Sequence, residues 1–325
     1  MVRLAAAVGA AALALWLGQA MAMTGFFAPL TVVPHGPESA LRPRTGALVP
    51  RARHVFLIVM ENRGASAIES GVGDPYLHAL IRQYALATRF YAVTHPSLPN
   101  YLALLGGSTF GVDSDTAAPD IAAKNLTDVL FVRGLGFGAY MDGLPSAGFL
   151  GGSDWPGLYV ARHDPFRYFT DIRRNPARRA RIEPLGALWR PLQEGRLPAF
   201  VWITPNLCHD MHSCPTFAGD NWLRLVVPRI LASPAWRDRG LLFITWDEGT
   251  GDSPAGPGHG GRVALLVIAP GERPGARLTA PADDYALLRT IEDALGTACV
   301  GRSCGARPLD LRRLLLRAEP RRRAA

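Results

Sequence analysis

The sequence predicts an α/β fold, a three-layer α/β/α sandwich around a mostly parallel central sheet. Three observations predict it. Apolar runs such as His54–Met60 (HVFLIVM), Gly240–Thr245 (GLLFIT) and Val263–Ala269 (VALLVIA) lack polar alternation, as strands buried on both faces require. Stretches of helical spacing separate the runs. Polar pairs follow two of them directly, Glu61-Asn62 and Asp247-Glu248, and in open α/β sheets the ligand site lies outside the carboxyl ends of the strands.

Taken in order, Met1-Val2-Arg3, the apolar Leu4–Gly18 and Ala20-Met21-Ala22 have the three-part layout of a secretory signal. Residues 1–22 are therefore expected to be a cleaved signal peptide, and the protein secreted or periplasmic. The alternative is an uncleaved membrane anchor, with the apolar stretch continuing to Leu30. Residues 23–50 read as a linker, 51–310 as the domain and 311–325 as a basic tail. Within the domain, His54–Met60 is a central strand and 75–90 a helix. A second helix opens at Pro99 and runs to Leu105, with proline near its start. Asn125–Arg133 is a capped helix, Phe137–Met141 and Phe200–Ile203 are strands, 221–232 is a helix despite its proline, and Asp283–Leu295 is the closing helix.

The net charge of +8 comes from arginines clustered at 173–181 and in the tail. No aromatic-interleaved basic motif accompanies them, so nucleic acid is not expected as a partner. The tail suits a solvated end, or peripheral contact with an anionic membrane. No obligate protein partner is predicted. The four cysteines form two close pairs, and proximity in an exported chain suggests the disulfides Cys208–Cys214 and Cys299–Cys304. Zinc ligation is disfavoured because neither pair has the C-x-x-C spacing.

The residues that carry chemistry are spread along the chain. Glu61, Asn62, Asp247 and Glu248 offer four hard oxygen donors, which suit a divalent cation such as Mg, Ca or Mn, or a site with Zn. In Thr94–Tyr101 (THPSLPNY), Ser97 stands between two prolines ahead of a helix start, where an anion is stabilised. Its hydroxyl is a candidate nucleophile, and Asn100 one turn on is a candidate phosphoryl contact. His209, Asp210 and His212 crowd into TPNLCHDMHSC, and His259 lies in the glycine-rich GPGHGG. These are candidates for phosphate binding, a second metal position or protonation of a leaving group. His163, in ARHDPF, is a weaker candidate, and His35, His54 and His78 have no such company.

HVFLIVMEN, THPSLPNYLALLGGS, RHDPFRYF, TPNLCHDMHSC, GDNWL and FITWDEG together resemble the phosphoesterase family of bacterial acid phosphatases and phospholipases C, in the alkaline-phosphatase-like superfamily. The resemblance runs in order from His54 to about Leu295. The compact length is closer to secreted acid phosphatases than to the larger phosphocholine-specific phospholipases C. The resemblance implies an alkaline-phosphatase-like fold, and a metal-dependent hydrolase of phosphate monoesters working through a phosphoserine. Its substrate would be a phosphorylated small molecule or a phospholipid. By similarity Glu61, Asn62, Asp247 and Glu248 are the metal ligands and Ser97 the nucleophile. Asn100 then contacts phosphate, and His209, Asp210, His212 and His259 bind phosphate or serve as acids. Two-metal members have Asp-His where this chain has Asp247-Glu248, which implies one metal here.

Three other readings compete. A phospholipase C-type phosphodiesterase would share every motif. A catalytically silent binding protein would have lost the nucleophile or a carboxylate, and this chain has both. A sulfatase would need arginine at Tyr101.

Overall fold

The computed structural model describes residues 47–153, 158–250 and 258–314. The expected signal peptide, nearly all of the expected linker and most of the basic tail lie outside the described residues. Among the described residues, no helix is long and apolar enough to cross a membrane.

The strands are β1 (His54–Met60), β2 (Ala85–Tyr91), β3 (Phe137–Met141), β4 (Ile182–Pro184), β5 (Phe200–Thr204), β6 (Gly240–Trp246), β7 (Arg262–Ile268), β8 (Arg277–Leu278) and β9 (Ala282–Asp283). They form one sheet in the order β4-β3-β5-β1-β6-β7-β2-β8, with β9 also on β2. Every pair is parallel except those of β7, which runs against β6 and β2. β1 is central, between β5 and β6, as its uninterrupted apolar run predicts. Every residue of β3, β5 and β6 is buried, which requires cover on both faces.

Helices supply that cover: α1 (Ala65–Glu69), α2 (Pro75–Gln83), α3 (Ser97–Gly106), α4 (Leu126–Val132), α5 (Thr216–Leu231) and α6 (Asp284–Leu295). α2 packs on α1 and α5, while α3 packs on α6. α4 forms where predicted, with Asn125 accepting from the Thr127 amide at its start.

Three expectations need correction. The helix expected over 75–90 ends at Gln83, and Ala85–Tyr91 is strand β2. Tyr84 turns extended, and the aromatic and β-branched residues Thr88, Phe90 and Tyr91 favour the pleated ladder. α3 begins at Ser97 rather than Pro99, so Ser97 is the first helical residue, and α5 begins at Thr216. Both cysteine pairs inferred from proximity are bonded, Cys208 to Cys214 and Cys299 to Cys304.

The topology gathers one edge of the sheet. β1, β2, β3, β5 and β6 all end there, and β7 starts there because it runs the opposite way. The segment before β7 lies along the residues that follow β2. The His259 amide donates to Val93 O at 2.9 Å and the Gly260 amide to Ala92 O at 3.1 Å. A Cβ on Gly258 or Gly260 would fall about 2 Å from the carbonyl oxygens of Ala92 and Thr94, so the glycines of GPGHGG permit this close approach.

The Cys299–Cys304 loop braces the far end of α3, where the Arg302 amide donates to Gly107 O at 2.7 Å. Beneath it, buried Glu292 accepts from the Val300 amide at 2.8 Å and from Ser303 Oγ at 2.7 Å. Burial raises its pKa to about 7, against the bonds to Ser303 and Val300. A carboxyl raised in the folded state stabilises most below its ordinary pKa near 4.5, and that contribution is lost as pH rises through 7. The full effect corresponds to roughly 3 kcal/mol. Glu292→Gln is therefore expected to flatten the decline in stability between about pH 5 and pH 8. Urea unfolding of both proteins at the two pH values measures this, and parallel declines would contradict it.

Candidate active site

β1 delivers Glu61 and β6 delivers Asp247 and Glu248 to the shared edge. All three carboxylates are buried, and one oxygen from each lies within 4.8 Å of the others. Asn62 follows with φ of 46°, and its amide donates to Asp247 Oδ1 at 3.0 Å. The Glu248 amide donates to the same oxygen at 2.7 Å.

Ser97 enters from β2 through the turn 92–96. Its Oγ–H donates to Glu61 Oε1 at 2.5 Å, and Glu248 Oε1 stands 3.3 Å away. Asn100 holds that turn: its Oδ1 accepts from the Thr94 amide at 3.0 Å, and its Nδ2 donates to Thr94 O at 2.8 Å and Pro96 O at 3.0 Å. The Asn100 amide is thus engaged with the backbone that presents Ser97. The Leu98 amide donates to Asp115 Oδ1 at 2.9 Å.

Two histidines that received little or no weight from the sequence stand within the cluster. His95 Nδ1 is hydrogen-bonded to Glu248 Oε2. His163 is buried, with Nε2 2.9 Å from Glu61 Oε1 and Nδ1 3.4 Å from Asp210 Oδ2. The motif RHDPFRYF explains its delivery. Phe166 stacks on Phe137 and meets Trp202 edge-on, which anchors the segment in the core. Thr204 Oγ1 donates to His163 O at 3.2 Å, and the imidazole stacks on Tyr101 at 5.0 Å.

The charges follow from these contacts. Burial alone would neutralise His163, but its bonds to Asp210 and Glu61 and their charges raise its pKa. Burial alone would raise Glu61, but the bonds to His163 and Ser97 and the charges of His163 and His212 lower it. Asp247 is pushed well above the ordinary carboxylate range by burial and by Glu61 and Glu248.

The predicted histidine loop divides. Asp210 faces inward, with Oδ1 accepting from the His212 amide at 2.8 Å. His212 Nε2 lies 4.0 Å from Glu61 Oε2, which puts it at the cluster's rim. His209 Nδ1 bonds instead to Asp142 Oδ2 at 2.6 Å, at the end of β3, and its ring stacks near Trp222. His259 is exposed, held at the edge by its backbone.

The donor set fits a divalent cation. Glu61 Oε2 and Asp247 Oδ2 are buried with no hydrogen-bond partner, and three carboxylates share one desolvated place. Hard oxygen donors crowded in this way suit Mg, Mn, Ca or Zn.

The phosphoesterase family model matches residues 72–297, which span α2, the Ser97 turn, the Cys208–Cys214 loop and Asp247-Glu248. The chain belongs to the phosphoesterase family. Membership makes it a phosphoric ester hydrolase. A phosphatidylinositol-3-phosphatase of Mycobacterium tuberculosis is 30% identical over 262 residues, covering 80% of this chain and 83% of the relative. An acid phosphatase of Aspergillus fumigatus is 29% identical over 75% of this chain, which spans only 56% of that longer protein. Among solved structures, an alkaline phosphatase superfamily protein from Vibrio parahaemolyticus superposes with a TM-score of 0.54 at 15% identity, covering 83% of this chain and 72% of that one. That likeness bears on the fold alone. Of the phosphoesterase's site, Glu61 lies before the matched span, while Ser97, His163, Asp210, Asp247 and Glu248 lie inside it.

Proposed function

We propose that this phosphoesterase is exported and hydrolyses phosphate monoesters, with a divalent metal ion and a phosphoserine at Ser97. The observation that carries the reading is the Ser97 hydroxyl, 2.5 Å from Glu61 Oε1 beside the buried carboxylates Asp247 and Glu248. A cation held by Glu61, Asp247, Glu248 and Asn62 would act as a Lewis acid that favours ionised Ser97 and balances the carboxylate charge.

The chain's own residues account for the rest. Asn100 fixes the turn, so Ser97 points into the cluster from the first position of α3, where the helix N-terminus favours an anion. Ser97 Oγ attacks phosphorus, forming the Oγ–P bond as the bond to the leaving oxygen breaks. The hydroxyl proton moves toward Glu61 Oε1. His212 at the rim donates a proton to the leaving alcohol, with His259 a second exposed histidine at this edge. Water then attacks the phosphoserine, the P–Oγ bond breaks, Oγ regains a proton and orthophosphate leaves. His163, held between Glu61 and Asp210, fixes the Glu61 carboxylate in place. His209, paired with Asp142, is read as a contact to the substrate's outer atoms.

The two disulfides suit an oxidising compartment and so support export. Preference for monoesters is supported by relatives named as phosphatases. The test is turnover of p-nitrophenyl phosphate and bis-p-nitrophenyl phosphate, before and after chelation and metal return. Monoester turnover that is lost on chelation and restored by metal supports the proposal. Preference for the diester would move the reading to a phospholipase C-type enzyme.

A further inference from the structure

A cavity of 450 Å³ is lined by Asp115, Thr116, Ser153, Arg162, Arg167 and Tyr168 among others, and Ser97 and the three carboxylates are not part of its lining. Two links tie it to Ser97. Asp115 on its wall accepts the amide of Leu98, the residue after Ser97, and Arg162 immediately precedes His163, which contacts Glu61.

The cavity's charges have distinct employments. Arg167 donates to the carbonyls of Gly151 and Leu150 and so builds the wall. Arg162 turns its buried Nε toward Asp115 Oδ2, 3.5 Å away, while its side chain as a whole keeps 23% exposure. A guanidinium fork matches phosphate oxygens. Two arginines against one aspartate leave the named cavity residues with a positive balance.

We propose that this cavity is a leaving-group subsite in which Arg162 binds a second phosphate carried by the alcohol portion of the substrate. The inference rests on the phosphomonoesterase reading above. Asp115 orients Arg162, and the guanidinium's remaining donors meet the second phosphate while Ser97 faces the first. The enzyme is thereby selective for bisphosphorylated alcohols over simple alkyl phosphates.

The test compares butyl phosphate with butanediol bisphosphate on the full, metal-loaded protein. The wild type is expected to favour the bisphosphate in kcat/KM by about tenfold to a hundredfold, mostly through KM, the range for a hydrogen-bonded charged contact. The preference should shrink as KCl is raised. Arg162→Gln should bring the ratio close to one, and Arg162→Lys, which keeps charge but loses the fork, should lie between. Thermal unfolding checks that each variant folds, and the lysine variant decides if the glutamine variant does not. Equal turnover of both esters by the wild type, or a preference that survives Arg162→Gln, overturns the subsite and leaves the phosphatase reading standing. No turnover of either ester by the wild type overturns both.

Discussion

Ser97→Ala is expected to reduce monoester turnover by about a thousandfold or more, with folding intact. The alanine removes one buried oxygen and leaves α3, the Asn100 brace and the carboxylates in place. Because that oxygen is proposed to form the bond to phosphorus, the loss should appear in kcat and not chiefly in KM. The check is steady-state kinetics on p-nitrophenyl phosphate beside circular dichroism of the variant. Alanine takes one donor from Glu61 Oε1 but leaves His163 Nε2 2.9 Å from it, so the variant should lose only about 1 kcal/mol of stability. Near-normal kcat in a folded variant would remove Ser97 from the reaction.

The second large effect falls on stability. His163→Ala is expected to destabilise the fold by roughly 3–5 kcal/mol. The imidazole lies 2.9 Å from Glu61 and 3.4 Å from Asp210, all three buried, and it stacks on Tyr101. Removing it leaves two buried carboxylates without their shared partner, and opens a void beside an aromatic ring. Urea unfolding at neutral pH measures the loss. If a metal ion offsets the carboxylate charge, added Mg or Mn should recover part of the difference. A change below about 1 kcal/mol would mean that His163 is not the charge partner of Glu61.

Much of this architecture is legible in the sequence because burial on both faces leaves a plain trace. HVFLIVM and GLLFIT can be read as strands, and the acidic pairs after them must then meet at one edge. β2 was hidden because Ala85–Tyr91 follows α2 after a single residue, and Leu86 and Ala87 fit either periodicity until the partner strand β7 is known. The reversed direction of β7 was hidden for a similar reason, since an apolar run carries no sign of its polarity. In the site, Glu61, Asp247 and Glu248 converge as the strand-end rule implies. His163 had only the company of aromatic residues to recommend it, and RHDPFRYF becomes informative once Phe166 is seen anchored against Phe137 and Trp202. His95 sits two residues before Ser97, but only the fold brings Glu248 to it across 153 residues. Asn100, expected to face phosphate, instead bonds the backbone of Thr94 and Pro96, a contact that a motif cannot distinguish from a ligand contact.

The covalent step is tested most directly by trapping. The metal-loaded protein is mixed with p-nitrophenyl phosphate, quenched in acid during turnover, digested and analysed by mass spectrometry. The account predicts one added phosphoryl group on the peptide containing Ser97, located on that serine and absent from the Ser97→Ala protein. Rapid-quench burst kinetics accompany the digest, because slow attack followed by fast hydrolysis would leave little to trap. A first-turnover burst of p-nitrophenol with no phosphate on Ser97, or phosphate on a different residue, would contradict it.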